Sequence, residues 1–560
     1  MTPWDLSCRD WESRIREGRS LIPDLPLFAD EAKIAIEFFD NLQLPDVPGR
    51  PFLRDAAGQW FRDIVGVVFG SWDPVAKHRY IRELFVLVGK GNSKTSYGAG
   101  LMLVALLMNN RPRGEFLFIG PTKDTADLAF SQAAGMVQLD GELTKRFQIR
   151  DHIKEIVDRK TQAKLKVKTF SLDVLTGPRP VGVLLDELHV LGRNPGAGKV
   201  LQQIRGGMEK SDESFLMTIT TQSDRPPAGA FRDELKLARA VRDGRQAGRV
   251  LPILYELPDA IARDEKRWMD PACWPMVMPN LGRSLKLESL TQACAAEQSK
   301  GEHAIQGWAS QHLNIEIGLG LKTDRWRGAD HWLEAAEPGL TFDEILLRSE
   351  VICIGIDGGG LDDLLGLALI GRERVTRRWL LWGRAWAHDS VLERRKSEEA
   401  VLRDMQSAGD LVIISDMEAA FGELADICAE VDAMGLLAKA GLDPMGVGAI
   451  VDALAERGIE GDERVVGVSQ GWTLSGAIKT TEIKLANGTL VHCGQPLMAW
   501  AVGNAKVEPK GNAVTITKQV AGAGKIDPIM AAYNAVVLMS RNPEAQESAY
   551  SGDHELLVLG

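Results

Sequence analysis

The segment LFVLVGKGNSKTSYGAGLMLVALL constrains this chain more than any other. An apolar run, Leu84 to Val88, stops at a glycine-containing loop, Gly89 to Thr95, and the sequence then reads as helix from Ser96 to Met108. A short, fully apolar strand that feeds a helix buries itself most readily in a parallel sheet covered on both faces. Three more such runs follow: EFLFIGP, VGVLLDE and SFLMTITTQ. Interleaved with helical stretches, they predict an α/β domain with a mostly parallel sheet.

At 560 residues the chain is too long for one core. Strand character returns in VICIGID, LLGLALIG and RRWLLWGRAWA, followed by a helix from Ser390 to Gln406. Three strands joined by short turns and then a helix predict a mixed sheet opening with a meander. The expected organisation is an N-terminal helical segment over 1–50, a core over 51–251 that includes a helix from Ala56 to Phe69, and a second domain over 348–560. The stretch 252–347 holds several Trp residues, helical patches and Pro breaks but no strand series, and reads as a lid or connector.

Composition removes several classes. With 45% hydrophobic and 26% charged residues, wholesale disorder is excluded. The six cysteines form no CxxC pair, which argues against a zinc site or a disulfide framework and fits a reducing cytoplasm. The N-terminus MTPWDLSCRDWESRIREG lacks a signal-peptide layout, and the longest apolar run, Leu101 to Met108, falls far short of the roughly 20 residues that span a bilayer. A soluble intracellular protein is expected. The net charge of -11 speaks against a general basic coat for nucleic acid and leaves room only for a local groove of Lys and Arg.

The loop Gly89-Lys90-Gly91-Asn92-Ser93-Lys94-Thr95 stands where a phosphate cradle belongs, because backbone N–H groups converge at a helix start. Lys94 would neutralise the β- and γ-phosphates of a nucleotide, and the Thr95 hydroxyl would ligate magnesium. The strict GxxxxGK[ST] pattern fails, since Val88 and Ser93 occupy its two glycine positions, and an ordinary strand-to-helix turn would look similar. About 90 residues downstream, VGVLLDE supplies the acidic strand end such a loop requires. There Asp186 would hold magnesium through water and Glu187 would polarise the attacking water. Thr220-Thr221-Gln222, ending the next strand, offers polar groups where a γ-phosphate sensor would sit.

At this point the chain resembles the large terminase subunit of tailed bacteriophages, from about Pro51 to about Pro543. That family's phosphate loop carries a basic residue early, which Lys90 matches, and GQWFRDIVGVVFG resembles its adenine-side segment, with Gln59 placed to read the base. GPTKDTADLAFSQAAGMV and PMVMPNLGRSLKLESL resemble two later passages of its ATPase domain. The most specific phrases lie near the C-terminus: GIDGGGLDDLLGLALIG, GLDPMGVGAIVDAL, QGWTLSGAIKTTE, MAWAVGNAKVEPKGNA and GKIDPIMAAYNAVVLM. Ser93 departs from the family, which has glycine before the phosphate-binding lysine.

The resemblance implies an RNase H-like nuclease built on three carboxylates and two Mg²⁺ or Mn²⁺ ions, whose hard character suits oxygen ligands. Asp357 ends ICIGID and precedes Gly358-Gly359-Gly360; Asp362 and Asp363 add negative charge nearby, and a Gly/Asp-rich hairpin turn is the plainer reading. For the second carboxylate the residues leave Asp416, ending LVIISD, and Asp443, ending GLLAKAGLD; the family pattern selects Asp443. Asp527 in KIDPIMAAYNAV would be the third, although Asp before Pro528 also suits a helix cap. His492 reads as a packed histidine, and Lys518 either contacts DNA phosphate or is solvated.

The implied function is ATP-driven packaging of double-stranded DNA into a procapsid, with Mg²⁺ at the ATPase site and endonucleolytic cutting of concatemers in the host cytoplasm. The implied partners are a portal protein, a small terminase subunit and further copies of the chain in a ring. Arg179 and Arg205 are the arginines considered for acting on a neighbour's nucleotide. Two alternatives remain: a helicase-nuclease of recombination or defence, and a catalytically weakened scaffold that binds DNA or capsid.

Overall fold

The computed structural model describes residues 4–171, 179–194, 196–317, 326–396, 398–443, 448–510, 513–518 and 525–545, with backbone alone at 123, 124, 302, 303, 509, 510 and 518. The chain divides into two compact units, Met1–Leu321 and Lys322–Gly560.

In the first unit a hairpin of β1 (Trp72–Asp73) and β2 (His78–Arg79) precedes the main sheet. That sheet contains β3 (Glu83–Leu87), β4 (Glu115–Gly120), β5 (Phe147–Arg150), β6 (Glu155–Asp158), β7 (Lys164–Thr169), β8 (Pro180–Asp186), β9 (Phe215–Thr220) and β10 (Val250–Leu254). Its order is β10-β3-β9-β8-β4-β7-β6-β5. Strands β10 through β7 in that order run parallel, and β6 and β5 turn antiparallel at one edge. β8, β9 and β10 are buried along their whole length, which explains their unbroken apolar sequences.

β5, β6 and β7 lie outside the apolar runs singled out above. β7, KLKVKT, alternates lysine with other residues and buries only Leu165 fully, so its sequence carries a half-exposed pattern.

The division between units falls inside the stretch 252–347 that the sequence set apart as a connector. Much of that stretch belongs to the first unit. β10 pairs with β3 as an edge strand, and Trp274, Trp308 and Leu313 join the same hydrophobic core as Phe85 and Leu103. The tryptophans therefore signal packing against the sheet.

In the second unit β11 (Ser349–Gly358), β12 (Leu365–Glu373) and β13 (Trp379–His388) form the expected antiparallel meander. They are joined by β14 (Leu411–Ile414), β15 (Leu437–Leu442), β16 (Val465–Gly467) and β17 (Leu490–His492). The order is β14-β13-β12-β11-β15-β16, with β17 also on β13. Two strands off this sheet, β18 (Ala505–Lys510) and β19 (Ala513–Lys518), pair with each other. The helix expected from Ser390 to Gln406 is two, Ser390–Arg394 and Glu399–Ser407, because the backbone leaves helical geometry at Arg395.

The helix Asp527–Met539 lies against β11 and β12 so closely that two glycines are required. A Cβ on Gly355 would stand 1.9 Å from the Ala531 carbonyl oxygen, and one on Gly366 2.9 Å from the Asp527 backbone. Because the obstacle at Gly355 is backbone, Gly355→Ala is expected to cost about 3 kcal/mol, the upper part of the overpacking range. Calorimetry would show it as an earlier unfolding transition, and an unshifted transition would contradict this packing.

Candidate active sites

The first site lies at the carboxyl ends of β3, β8 and β9. The loop 89–93 turns the chain from β3 into the helix Lys94–Met108, with left-handed backbone at Gly91 (φ 89°) and Ser93 (φ 56°). Ser93 thus takes up the conformation that favours glycine, at a cost of roughly 1–2 kcal/mol for a residue bearing a Cβ.

Lys94 is buried, and its Nζ lies 2.7 Å from Glu187 Oε1. The Thr95 hydroxyl donates to Asp186 Oδ2 at 2.6 Å. Asp186 Oδ1 is buried without a hydrogen-bond partner. An orphaned carboxylate oxygen beside a threonine hydroxyl fits a hard divalent cation, so the donor set suits magnesium.

The two adjacent carboxyls are pushed apart in acidity. Burial raises Asp186 above the usual carboxylate range despite the charge of Lys94. Burial also works to raise Glu187, but His189, with Nδ1 3.0 Å from Oε2, and the charge of Lys94 outweigh it and hold that carboxyl below its usual range.

Residues beyond β10 frame the loop. The Lys90 N–H donates to the Gln311 carbonyl at 2.8 Å, and a Cβ on Gly89 would stand 2.0 Å from the His312 oxygen. Asn92 donates to the Gly89 carbonyl (2.8 Å) and accepts from the Asn280 N–H (3.0 Å), while Ser284 Oγ donates to the Gly91 carbonyl (2.8 Å). His312 is pushed down to about 4 by burial and by the charge of Lys90. Gln59 is exposed at the start of the helix Gln59–Gly70 and donates to Asp63 Oδ1 at 2.8 Å. Its neighbour Trp60 donates to Asn280 Oδ1 at 3.4 Å, which sets this helix start beside the residues framing the loop.

Thr220, Thr221 and Gln222 are buried at the end of β9. The Gln222 N–H donates to Asn314 Oδ1 (3.1 Å), and the Asn314 amide donates to the Tyr255 carbonyl (2.9 Å). Of the two arginines considered, Arg205 is held by Glu83 and Glu234 at 2.8 and 2.7 Å within its own unit. Arg179 is exposed just before β8, at the opposite end of that strand from Asp186.

The second site lies in the second unit. β11 and β15 run parallel with Ile356 opposite Leu442, so Asp357 and Asp443 follow on neighbouring strands at the same end of the sheet. Asp527 is the buried first residue of the helix that packs on β11 and β12, and a Cβ on Gly358 would lie 3.5 Å from its Cβ. Ile526 occupies the N-cap position of that helix, and Asp527 follows as its first helical residue. Asn534, on the same helix, donates to the Ile356 carbonyl at 2.8 Å and steadies the strand next to Asp357.

Asp416 is placed differently. It follows β14, two strands removed from β11, and its carboxylate caps the helix Met417–Ala433 by accepting from the Glu418 N–H at 2.9 Å. Asp362 accepts from Arg395 at 3.2 Å, and Asp363 is paired with Lys525, so cations answer both nearby charges. Among the described residues no three His, Cys, Asp or Glu side chains are drawn together tightly enough to hold a metal ion. The carboxylates Asp357, Asp443 and Asp527 share one end of the sheet and have the chemistry for hard cations, but side-chain adjustment would be needed to close on an ion.

His492 is packed. Its ring stacks on Trp332 at 4.1 Å, Nε2 donates to the Trp332 carbonyl at 2.6 Å, and Nδ1 accepts from the Gly494 N–H at 3.0 Å. Lys518 ends β19, and its side chain lies outside the described ones.

The terminase large subunit ATPase-domain model matches residues 59–240, and the terminase large subunit endonuclease-domain model matches residues 255–542. The chain belongs to the terminase large subunit family. It carries an ATPase and an endonuclease domain, activities that use a nucleotide and divalent metal. The terminase large subunit of Lactococcus phage p2 is 23% identical over 477 residues, 80% of this chain and 81% of that protein. Protein YmfN of Escherichia coli strain K12 is 21% identical over 372 residues, 64% and 77% respectively. The crystal structure of the HK97 bacteriophage large terminase covers 90% of this chain and 99% of its own, at 17% identity and a TM-score of 0.45. The endonuclease match begins at residue 255, whereas residues 255–317 pack with the ATPase unit; packing decides where they belong physically.

The framing residues Asn280, Ser284, Gln311 and Asn314, together with His189, escaped the sequence reading of this terminase. His189, two positions after Glu187, and Asn280 and Ser284, within PMVMPNLGRSLKLESL, had a local signal; Gln311 and Asn314 had none. The strain at Ser93 is testable: Ser93→Gly is expected to raise the thermal midpoint of the ATPase unit and to retain ATP turnover. A lowered midpoint would mean that the serine side chain contributes more than its backbone costs.

Proposed function

We propose that the first unit hydrolyses ATP to move double-stranded DNA into a procapsid, and that the second cuts concatemeric DNA in the host cytoplasm. The paired contacts Lys94–Glu187 and Thr95–Asp186 support the motor assignment most directly, since they join the loop lysine and hydroxyl to the two acidic groups at the end of β8.

In this reading ATP phosphates compete with Glu187 for Lys94. Transfer of Lys94 to the β- and γ-phosphates frees Glu187 Oε1 to orient the attacking water, while Oε2 stays beside His189. Asp186 and Thr95 would hold Mg²⁺, which supplies neutralisation of phosphate charge. Gly91, Asn92 and Ser93 line the cradle, Lys90 stands exposed at its mouth, and Gln59 reads the base.

At the nuclease, Asp357, Asp443 and Asp527 would hold two Mg²⁺ or Mn²⁺ ions, which activate water and stabilise the leaving oxygen. The chain itself steadies that strand end through Asn534 and balances the flanking charge through Lys525 and Arg395. The proposed partners are double-stranded DNA, the portal of the procapsid, a small terminase subunit and further copies in a ring. Arg205 is engaged within its own unit, so Arg179 is the better of the two arginines for reaching a neighbour.

In the full-length chain, Lys94→Ala and Glu187→Ala are expected to abolish ATP turnover while plasmid cleavage persists; wild-type turnover in both would reject the motor assignment. Asp357→Ala is expected to remove manganese-dependent plasmid cleavage with ATP turnover intact. Retained cleavage would place the nuclease elsewhere.

A further inference from the structure

Glu187 has a partner whose geometry is more specific than packing demands. The residue takes left-handed backbone (φ 57°, ψ 48°) and swings the chain from β8 into the short helix Leu188–Leu191, which brings residue 189 back over the end of β9. The His189 N–H donates to Thr220 Oγ1 at 3.1 Å. Its ring Nδ1 lies 3.0 Å from Glu187 Oε2, 3.1 Å from Thr220 Oγ1 and 3.4 Å from Thr221 Oγ1. Phe231 packs edge-on to the ring at 6.3 Å, which limits its rotation.

All three neighbours of Nδ1 are acceptors. The Thr220 hydroxyl gives its hydrogen to the Thr221 carbonyl (3.0 Å), the Thr221 hydroxyl to the Gln222 carbonyl (3.2 Å), and Glu187 is a carboxylate. A nitrogen facing only acceptors carries the hydrogen, so the arrangement assigns the Nδ1–H form.

We propose that His189 is a positioning residue of the ATPase site, whose Nδ1–H orients the Glu187 carboxylate and ties it to the Thr220–Thr221 end of β9. The inference rests on Glu187 as the group that orients water. It sets Nδ1 3.0 Å from Oε2, off the line of a hydrogen bond as the ring stands, so that a small turn lets Nδ1–H hold Oε2 when Lys94 moves to phosphate and Oε1 changes partner. It also extends the site's reach: the same strand end continues to Gln222, bonded to Asn314 just past the helix Glu302–Leu313. A displacement of β9's end on phosphate release would therefore act on the water-orienting group and on the loop-framing segment together.

Steady-state ATP turnover of the full-length chain tests this with His189→Leu, His189→Asn, His189→Gln, Glu187→Gln and the double variant His189→Leu/Glu187→Gln. The leucine variant is expected to lose about 10²-fold in kcat with KM for ATP changed by less than about threefold, the pattern of an interaction made in the transition state. Asparagine, whose amide nitrogen falls near the place of Nδ1, is expected to restore kcat to within about tenfold of wild type, whereas glutamine, reaching toward Nε2, is not. The double variant is expected to be no slower than Glu187→Gln alone, because a residue acting through Glu187 has nothing left to position.

A leucine variant within about threefold of wild-type kcat, equal losses in the asparagine and leucine variants, or a double variant slower than Glu187→Gln would each overturn the proposal. Glu187→Gln separates the two levels of inference. Wild-type turnover in that variant removes the role of Glu187 and this proposal with it. A dead Glu187→Gln beside an unimpaired His189→Leu removes only the role of His189.

Discussion

A lysine ammonium taken almost fully out of water must be answered by opposite charge at close range, since the cost of leaving it unpaired exceeds what surrounding packing returns. Lys94 is in that position, and Glu187 answers it at 2.7 Å. The requirement fixes much of the first unit. The loop must deliver Lys94 at the start of its helix, β8 must end at the right height, and β9 must lie beside β8 so that Thr220 and Thr221 border the same space. Close parallel packing lets four groups from distant stretches converge. The same enclosure drives the acidities of Asp186 and Glu187 in opposite directions, leaving one carboxyl drawn toward protonation and its neighbour firmly ionised.

The loop is held from outside by segments that follow the sheet in sequence. Backbone carbonyls of Gln311 and His312 press on Lys90 and Gly89, and Asn280 and Ser284 bind Asn92 and Gly91. Gly89 is needed for this close approach, whereas at Ser93 the demand is on backbone hand. These are separate reasons for glycine in a phosphate loop, and the chain satisfies one with glycine while tolerating strain at the other. Asn314 then joins the framing segment to Gln222, so the end of β9 and the end of the unit's last described helix are bonded to each other.

The second unit solves a different problem with the same economy of space. Three carboxylates brought to one end of a sheet repel each other, and their approach depends on rigid supports: strand register for Asp357 and Asp443, and backbone-to-backbone packing at Gly355 and Gly366 for Asp527. Lys525 and Arg395 temper the added charge of Asp363 and Asp362. The acidic net charge noted at the outset says little about where a strand of DNA would run.

The linear pattern alone was enough to identify β3, β4, β8, β9 and the β11–β13 meander, because a strand buried on both faces must be apolar throughout. It also marked Lys94, Thr95, Asp186 and Glu187, since strand ends and helix starts are local events. β7 was not legible, its alternating lysines leaving one face half exposed, and β10 straddles the start of a stretch whose tryptophans suggested a separate lid. Strand order sets Asp443 and Asp416 apart: both follow apolar strands, but β15 borders β11 and β14 does not. The place of Asp527 in its helix, the engagement of Arg205 and the nearness of His189 to Thr220 likewise depend on contacts among residues far apart in the chain. Sequence fixes periodicity and local chemistry because neighbouring residues share a backbone; tertiary structure decides pairing, because only the folded sheet determines which strand ends meet.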